Sequence, residues 1–387
     1  MSKLDSYMAP IRLICEVYIS FPMVIFGLVG NSLSLLALFR YRQSPVTTIL
    51  LKAITILDTS NLLSSTILRS FRYIGIPNYE HFHRYIFVWL FPVNCIIKMV
   101  SVWLTVLLTM ERYTAICYPL HAQRICSTKR TKCFIFFTTV IVVLVSIPKF
   151  FEYEIVPFDV KDSGFQQTKI MSNVFYTFAF RIIFNFLFIY FVPLIALIVM
   201  NFRIFLTLRW TSRQHRSAFS SNLSRINRAS SVSTHESLFE VTRSITTVAV
   251  LVVSVCIVCD IAAMISHVLY SLELTSKSYA CSLSFYRRIS SNISNVFLTF
   301  SCSVNFLIYC TVSRRFRLTL KSMLPGGIST IGWPATAISK RSSLDDRTSN
   351  ATTQSVRRKS KKQFSCGRTM KCCCKVIKRN EDNERCT

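Results

Sequence analysis

The chain has 387 residues, 51% of them hydrophobic, with a formal net charge of +28 and a mean hydropathy of +0.41. A soluble domain of this length needs far more polar surface, and a content of only 8 glycines and 11 prolines argues against turn-rich β architectures. The cations fall between apolar runs and in the tail rather than on one soluble face, so the charge is not read as a nucleic-acid footprint. With no nucleophile–base–acid set and no phosphate loop, the chain is not read as an enzyme.

A helix that crosses a bilayer needs about 20 predominantly apolar residues. In chain order, seven such runs are predicted, roughly Val17–Phe39, Thr47–Phe71, Tyr85–Met110, Cys133–Phe151, Val174–Leu206, Ile245–Leu272 and Ile289–Val312. Their hydrophobicity is continuous rather than alternating, which excludes a β-barrel. Residues 1–16 are read as a short outer tail. The first apolar run is too long for a cleaved leader and reads as a signal anchor. The segment of about 207–244 is an inner loop, and its Ser- and Arg-rich stretch Thr211–Thr242 is expected to be largely disordered, as is the basic tail 325–387. No internal repeat is visible, which weakens a transporter with inverted halves, and the last span lacks the lysine that a retinal pump needs.

Lysine and arginine set the orientation. Arg40 and Arg42 follow span one; Arg112, Arg124, Lys129, Arg130 and Lys132 follow span three; Arg203, Arg209, Arg213 and Arg216 follow span five. The connection after span four is close to neutral. The N-terminus is therefore expected outside and the tail inside, against anionic inner-leaflet lipid. There are 15 cysteines, mostly in apolar runs or in the tail, and none has metal-ligand spacing with a supporting histidine. The run Cys372, Cys373 and Cys374 is read as a palmitoylation site. Cys15 and Cys281, the two cysteines placed near the outer surface, form a candidate disulfide. Residues 313–324 carry Phe316, Leu320 and Leu324 opposite Arg314, Arg315, Arg317 and Lys321, the pattern of an amphipathic helix on the inner membrane surface.

Several residues carry more specific chemistry. Glu111-Arg112-Tyr113 closes span three and is followed by Pro119-Leu120. Gly30-Asn31 lies in span one. Asp58 stands mid-span in the second helix, where a carboxylate is costly and functional by default. Asn305-Phe306-Leu307-Ile308-Tyr309 ends span seven. Together these resemble the signatures of rhodopsin-like G-protein-coupled receptors. That resemblance implies an all-α membrane protein: a seven-transmembrane helix bundle, over 17–312, with a short amphipathic eighth helix. It implies a resting pair of Glu111 and Arg112 that opens toward a heterotrimeric G protein. It also implies a pocket for an allosteric sodium ion formed by Asp58, Ser101, Ser301 and Asn305, with no other cofactor. A narrower resemblance, to invertebrate FMRFamide-type neuropeptide receptors, rests on Pro148-Lys149-Phe150-Phe151-Glu152, Phe91-Pro92, Ser101-Val102-Trp103-Leu104-Thr105-Val106, His121-Ala122-Gln123-Arg124-Ile125-Cys126 and Ser303-Val304-Asn305. It implies an extracellular, amidated peptide ligand and a plasma-membrane location, with arrestin and kinases as further partners on the basic, Ser-rich inner segments. A small-molecule chemosensory receptor on the same fold is the alternative.

The chain also departs from that pattern. Phe87 stands about where the family has a cysteine at the outer end of span three, and the loop after span four has none, so the usual bridge cannot form. Phe306 replaces a proline in span seven, and Cys259-Asp260-Ile261-Ala262 replaces Cys-Trp-x-Pro in span six. Lys98 lies about 21 Å along its helix from Arg112, and Asp260 about 24 Å along its own from Ser244. Equal depth suggests a buried ion pair between them, with solvation by pocket water and direct ligand contact as the other two readings. The ligand-pocket candidates are Asn94, Lys98, Glu152, Arg181, Asn185, Asp260 and His267.

Overall fold

The computed structural model describes residues 3–40, 45–70, 73, 79–118, 121–122, 126–157, 165–222, 229–275, 280–312 and 314–323. Seven helices are long and apolar enough to cross a membrane: Tyr7–Arg40, Val46–Arg69, His81–Cys117, Thr128–Phe151, Tyr176–Thr211, Val250–Leu274 and Leu283–Thr311. They are spans one to seven below, and all seven predicted runs fall on them. Phe134, Phe136, Phe137, Ile141 and Leu144 of span four stay exposed on the bundle's flank. In lipid that exposure carries no penalty, which explains why this helix needs so little of its surface covered.

Lipid supplies no hydrophobic drive between helices, so packing depends on close approach and on polar contacts. Val46, Leu50 and Ile54 of span two interlock with Met99, Leu104 and Leu108 of span three and with Val142 of span four. A second cluster joins Ala37, Val252, Ile308 and Tyr309 to Phe316. Span one meets span seven through two glycines. A Cβ on Gly30 would lie 2.8 Å from Cβ of Phe306, and one on Gly27 would lie 2.5 Å from Oγ of Ser303. Gly30→Val is therefore expected to cost about 1–3 kcal/mol by overpacking, read as a lower Tm of the purified chain, and Phe306→Ala in the same chain should recover part of it.

The amphipathic eighth helix runs Arg314–Met323. Phe316 is buried at its root against Tyr309, and Arg317 Nη1 donates to the carbonyls of Cys310 and Thr311 at 2.9 and 2.8 Å. A cation thus satisfies carbonyls left open at the end of span seven.

One expectation, of disorder after span five, is corrected, and two features add to the sequence reading. The 1–16 tail is helical from Lys3 and passes through a π-helical turn, Ile14–Ile19, into span one. The supposed irregular linker after span five is also helical: one helix runs Val192–Asn222 and the next Ala229–Thr275. Extending an existing helix adds a hydrogen bond for each residue fixed, without a new nucleation cost, so polar sequence can continue it. The other added feature is a small β-hairpin after span four, β1 Tyr153–Ile155 against β2 Phe165–Gln167, paired antiparallel with Ile155 opposite Phe165. The tail 325–387, including Cys372, Cys373 and Cys374, lies outside the described residues, as do Pro119 and Leu120.

Candidate functional site

The two ends of the bundle are named here by their features, the Arg112 end and the hairpin end. At the first, Arg112 and Glu111 are 4% and 8% exposed. Arg112 Nε donates to Glu111 Oε2 at 2.6 Å and Nη2 donates to Oε1 at 2.7 Å, a bidentate pair. Thr47 of span two completes it: its hydroxyl lies 3.2 Å from both carboxylate oxygens and also accepts from Arg112 Nη2. Sequence reasoning missed Thr47, because a threonine on a neighbouring helix carries no local signal. Tyr113 turns away and packs edge-on against Tyr118, with ring centroids 5.8 Å apart. Next to this clasp, outside the spans, burial and the Glu111 charge push the Cys126 thiol pKa up.

Midway along the bundle lies a polar knot. Asp58 accepts from Ser101 Oγ at 3.2 Å on one oxygen and from Asn305 Nδ2 at 2.7 Å on the other. Asn31 Nδ2 donates to the Cys302 carbonyl at 3.1 Å, and Asn61 Nδ2 to its sulfur at 3.5 Å. Ser301 faces Cys256 of span six at 3.6 Å instead of Asp58. Three of the four residues assigned to a sodium pocket are thus hydrogen-bonded together, Asn305 through its amide nitrogen. Tyr309 is buried beside Phe316.

At the hairpin end, charge is concentrated between spans three to six. Glu152 is 3% exposed. Its Oε1 accepts from Tyr176 Oη at 2.9 Å and lies 3.9 Å from Arg181 Nε. Arg181 also rests over the Tyr270 ring, 5.3 Å from its centroid. His267 Nε2 is 3.3 Å from the Ile182 carbonyl, joining span six to span five. Two candidates turn elsewhere: Asn94 Oδ1 accepts from Ser64 Oγ at 2.6 Å, and Asn185 Nδ2 donates back to the Arg181 carbonyl at 3.2 Å.

The expected Lys98–Asp260 contact pair is not formed. No ion pair within 4.0 Å joins them among the described residues; Lys98 Nζ instead sits 5.4 Å from the Tyr190 ring centroid. Equal depth on two helices does not by itself aim two side chains at each other, and a phenol face offers the ammonium a weaker electrostatic partner. Cys15 is a free thiol, and the side chain of Cys281 lies outside those described. Where span three lacks its cysteine, Phe87 stacks on Phe165 of β2 with centroids 4.3 Å apart and planes 17° apart. Tyr153 of β1 meets Phe87 edge-on at 5.2 Å and Phe91 at 5.8 Å. Burial pushes the Tyr153 phenol up to about 12, so this ring stays neutral through the physiological range.

A further rim contact joins spans six and seven, where Glu273 pairs with Arg287 and accepts from Ser284 Oγ at 2.6 Å. Glu152→Ala is expected to strand Arg181 without an acid and to cost about 3 kcal/mol. Thermal unfolding of the purified chain measures this, and Tyr176→Phe, which removes one hydrogen bond, should cost about 1 kcal/mol.

A seven-span bundle with a buried arginine–carboxylate clasp at one end, a polar knot at its centre and a charged, aromatic cluster at the other is a membrane receptor of the helical-bundle class. Residues 30–309 match the 7 transmembrane receptor (rhodopsin family), and the chain belongs to that family. It is similar to the Sex peptide receptor of Drosophila melanogaster, 24% identical over 79% of this chain and 71% of that one. It is also similar to the FMRFamide receptor of the same fly, 23% identical over 79% of this chain but 52% of that protein, about half its length. The FMRFamide peptide receptor frpr-18 of Caenorhabditis elegans is 30% identical over 37% of this chain and 33% of its own. All three relatives carry the names of peptide receptors, and the chain itself is a multi-pass membrane protein of the rhodopsin family.

Proposed function

We propose that the chain is a plasma-membrane receptor for an FMRFamide-like, amidated neuropeptide and that it signals through a heterotrimeric G protein. The observation that carries this is the side-chain cluster at the hairpin end, where Glu152, Arg181, Tyr176 and Tyr270 interlock across the loop and spans five and six. A ligand that rearranges this lattice biases the positions of both spans. Span five reaches the Arg112 end, where Thr207 meets Cys117 of span three, and a two-state bundle can carry the bias there. The names of the three relatives support a peptide, and the basic connections after spans one, three and five support a hairpin end outside and an Arg112 end inside.

In this reading Asp58, Ser101 and Asn305 would hold a sodium ion, which supplies a charge that favours the resting packing of spans two, three and seven. Ser301 would need to turn from Cys256 to join them. Kinases and arrestin would act on the inner segments, and palmitate on Cys372, Cys373 and Cys374 would hold the tail at the lipid surface. The test is a panel of synthetic amidated peptides on cells displaying the chain, read by calcium and cyclic nucleotide. A response to Arg-Phe-amide peptides is expected. Silence to every peptide at verified surface density would replace this reading with the small-molecule one.

A further inference from the structure

We propose that Lys98 of span three and Lys149, at the end of span four, form a binding site for an anionic group of the ligand, a carboxylate on an acidic side chain of the peptide. The inference deepens the receptor reading above by naming a chemical feature of what binds at the hairpin end.

The case begins with the charges that are already engaged. Among the described residues between spans three, four, five and six, and apart from the exposed Glu154 and the Glu273–Arg287 rim pair, the hairpin end holds three cations, Lys98, Lys149 and Arg181, and two acids, Glu152 and Asp260. Glu152 is committed to Arg181 and to the Tyr176 hydroxyl. Arg181 in turn is covered by Tyr270. Neither lysine has a carboxylate within 4.0 Å or a hydrogen bond to a protein acceptor among the described residues. Each ammonium rests on a ring instead: Lys98 Nζ lies 5.4 Å from the Tyr190 centroid, and Lys149 Nζ 5.7 Å from that of Phe180. Lys149 is only 9% exposed. Aromatic faces hold a cation weakly and leave its donors unsatisfied.

The two lysines share one neighbourhood. Cys95 of span three and His267 of span six each lie within electrostatic reach of both. Asp260 acts on Lys98 from a distance, and among the described residues no carboxylate pairs with Lys149. These five groups together carry one net positive charge inside a helical bundle, where an uncompensated ion is costly. A carboxylate entering from the hairpin end would receive two ammonium donors and neutralise that excess. The same geometry disfavours a ligand whose cationic group must reach this depth, because Glu152 is not free to receive it.

Two arms test the site, one without any known ligand. In the first, the purified full chain is heated with N-acetyl-glutamate α-amide at tens of millimolar, or with its neutral partner N-acetyl-glutamine amide. The carboxylate is expected to raise Tm by about 2–4 °C more than the amide does. Lys98→Met and Lys149→Met should each remove that difference, and Lys98→Arg and Lys149→Arg should keep it. Equal shifts with both compounds on the unmodified chain, or a difference that survives both methionine variants, overturns the proposal. In the second, every peptide active in the panel is remade with each acidic group replaced by its amide. At least one replacement is expected to raise the half-maximal concentration tenfold or more on the unmodified chain and to have no effect on Lys98→Met. An active peptide with no acidic group, or one indifferent to every replacement, overturns the anion site while leaving the peptide-receptor reading intact. A carboxylate-specific Tm shift with a silent panel does the reverse.

Discussion

Phe165→Ala is expected to destabilise the purified receptor by about 2–3 kcal/mol, below the cost of a fully buried phenylalanine because the ring is half-buried, read as a lower Tm, and to blunt its response at the hairpin end. Phe165 stacks on Phe87 at 4.3 Å, with Tyr153, Phe91 and His83 around them. These rings join the β-hairpin to span three at the place where the family's usual disulfide is missing. A covalent bridge acts partly by restricting the unfolded chain; stacked rings act only in the folded state, through buried area and quadrupole contacts of about 0.5–1.5 kcal/mol per pair. Two consequences follow. Dithiothreitol should leave the ligand response unchanged. Phe165→Tyr should be tolerated, while Phe165→Ala should loosen the hairpin, which hydrogen exchange at 153–155 and 165–167 would read directly. Unchanged protection of those amides in the alanine variant would show that the rings do not hold the loop.

Glu111→Gln is the second large effect. The carboxylate holds Arg112 by two short hydrogen bonds and also faces the Thr47 hydroxyl. Removing its charge leaves a buried guanidinium without a counter-ion, a loss of about 3–5 kcal/mol for a partner of a buried pair. If the intact clasp favours the resting arrangement, that loss falls on the resting state and shifts population toward the active one. Basal nucleotide exchange on a G protein in membranes should rise several-fold, with less chain at the surface. Thr47→Val should move basal exchange in the same direction by less, since it removes hydrogen bonds worth about 1 kcal/mol. Basal exchange that stays flat in Glu111→Gln at matched surface density would sink the clasp's role in holding the resting state.

The seven spans were legible because bilayer thickness imposes one length and one polarity on any helix that crosses it, and every predicted run lies on an observed helix. Glu111, Arg112, Asp58 and Asn305 were legible for a related reason. A charged or amide side chain inside an apolar run stands out against its neighbours and must find a partner. The partner itself was not legible. Thr47 in the Arg112 clasp, Cys302 beside Asn31 and Asn61, and Tyr176 on Glu152 sit on other helices, and their identity depends on helix rotation. Residue spacing gives depth along a helix but not the direction a side chain faces around it, which is why Lys98 and Asp260 matched in depth yet make no contact pair, and why Lys98 rests on Tyr190.

By itself, then, the sequence determined a membrane bundle of seven helices, its receptor family and the ionisable residues that had to be solvated within it. Only the tertiary structure decided how they are solvated. It seats Phe306 of span seven on Gly30, puts an aromatic stack in the place of the missing bridge, and leaves Lys98 and Lys149 against rings rather than acids. The physical reason is that hydrophobic length is a property of each segment alone, whereas a hydrogen bond, a ring stack or an ion pair between helices exists only once their rotations about one another are set.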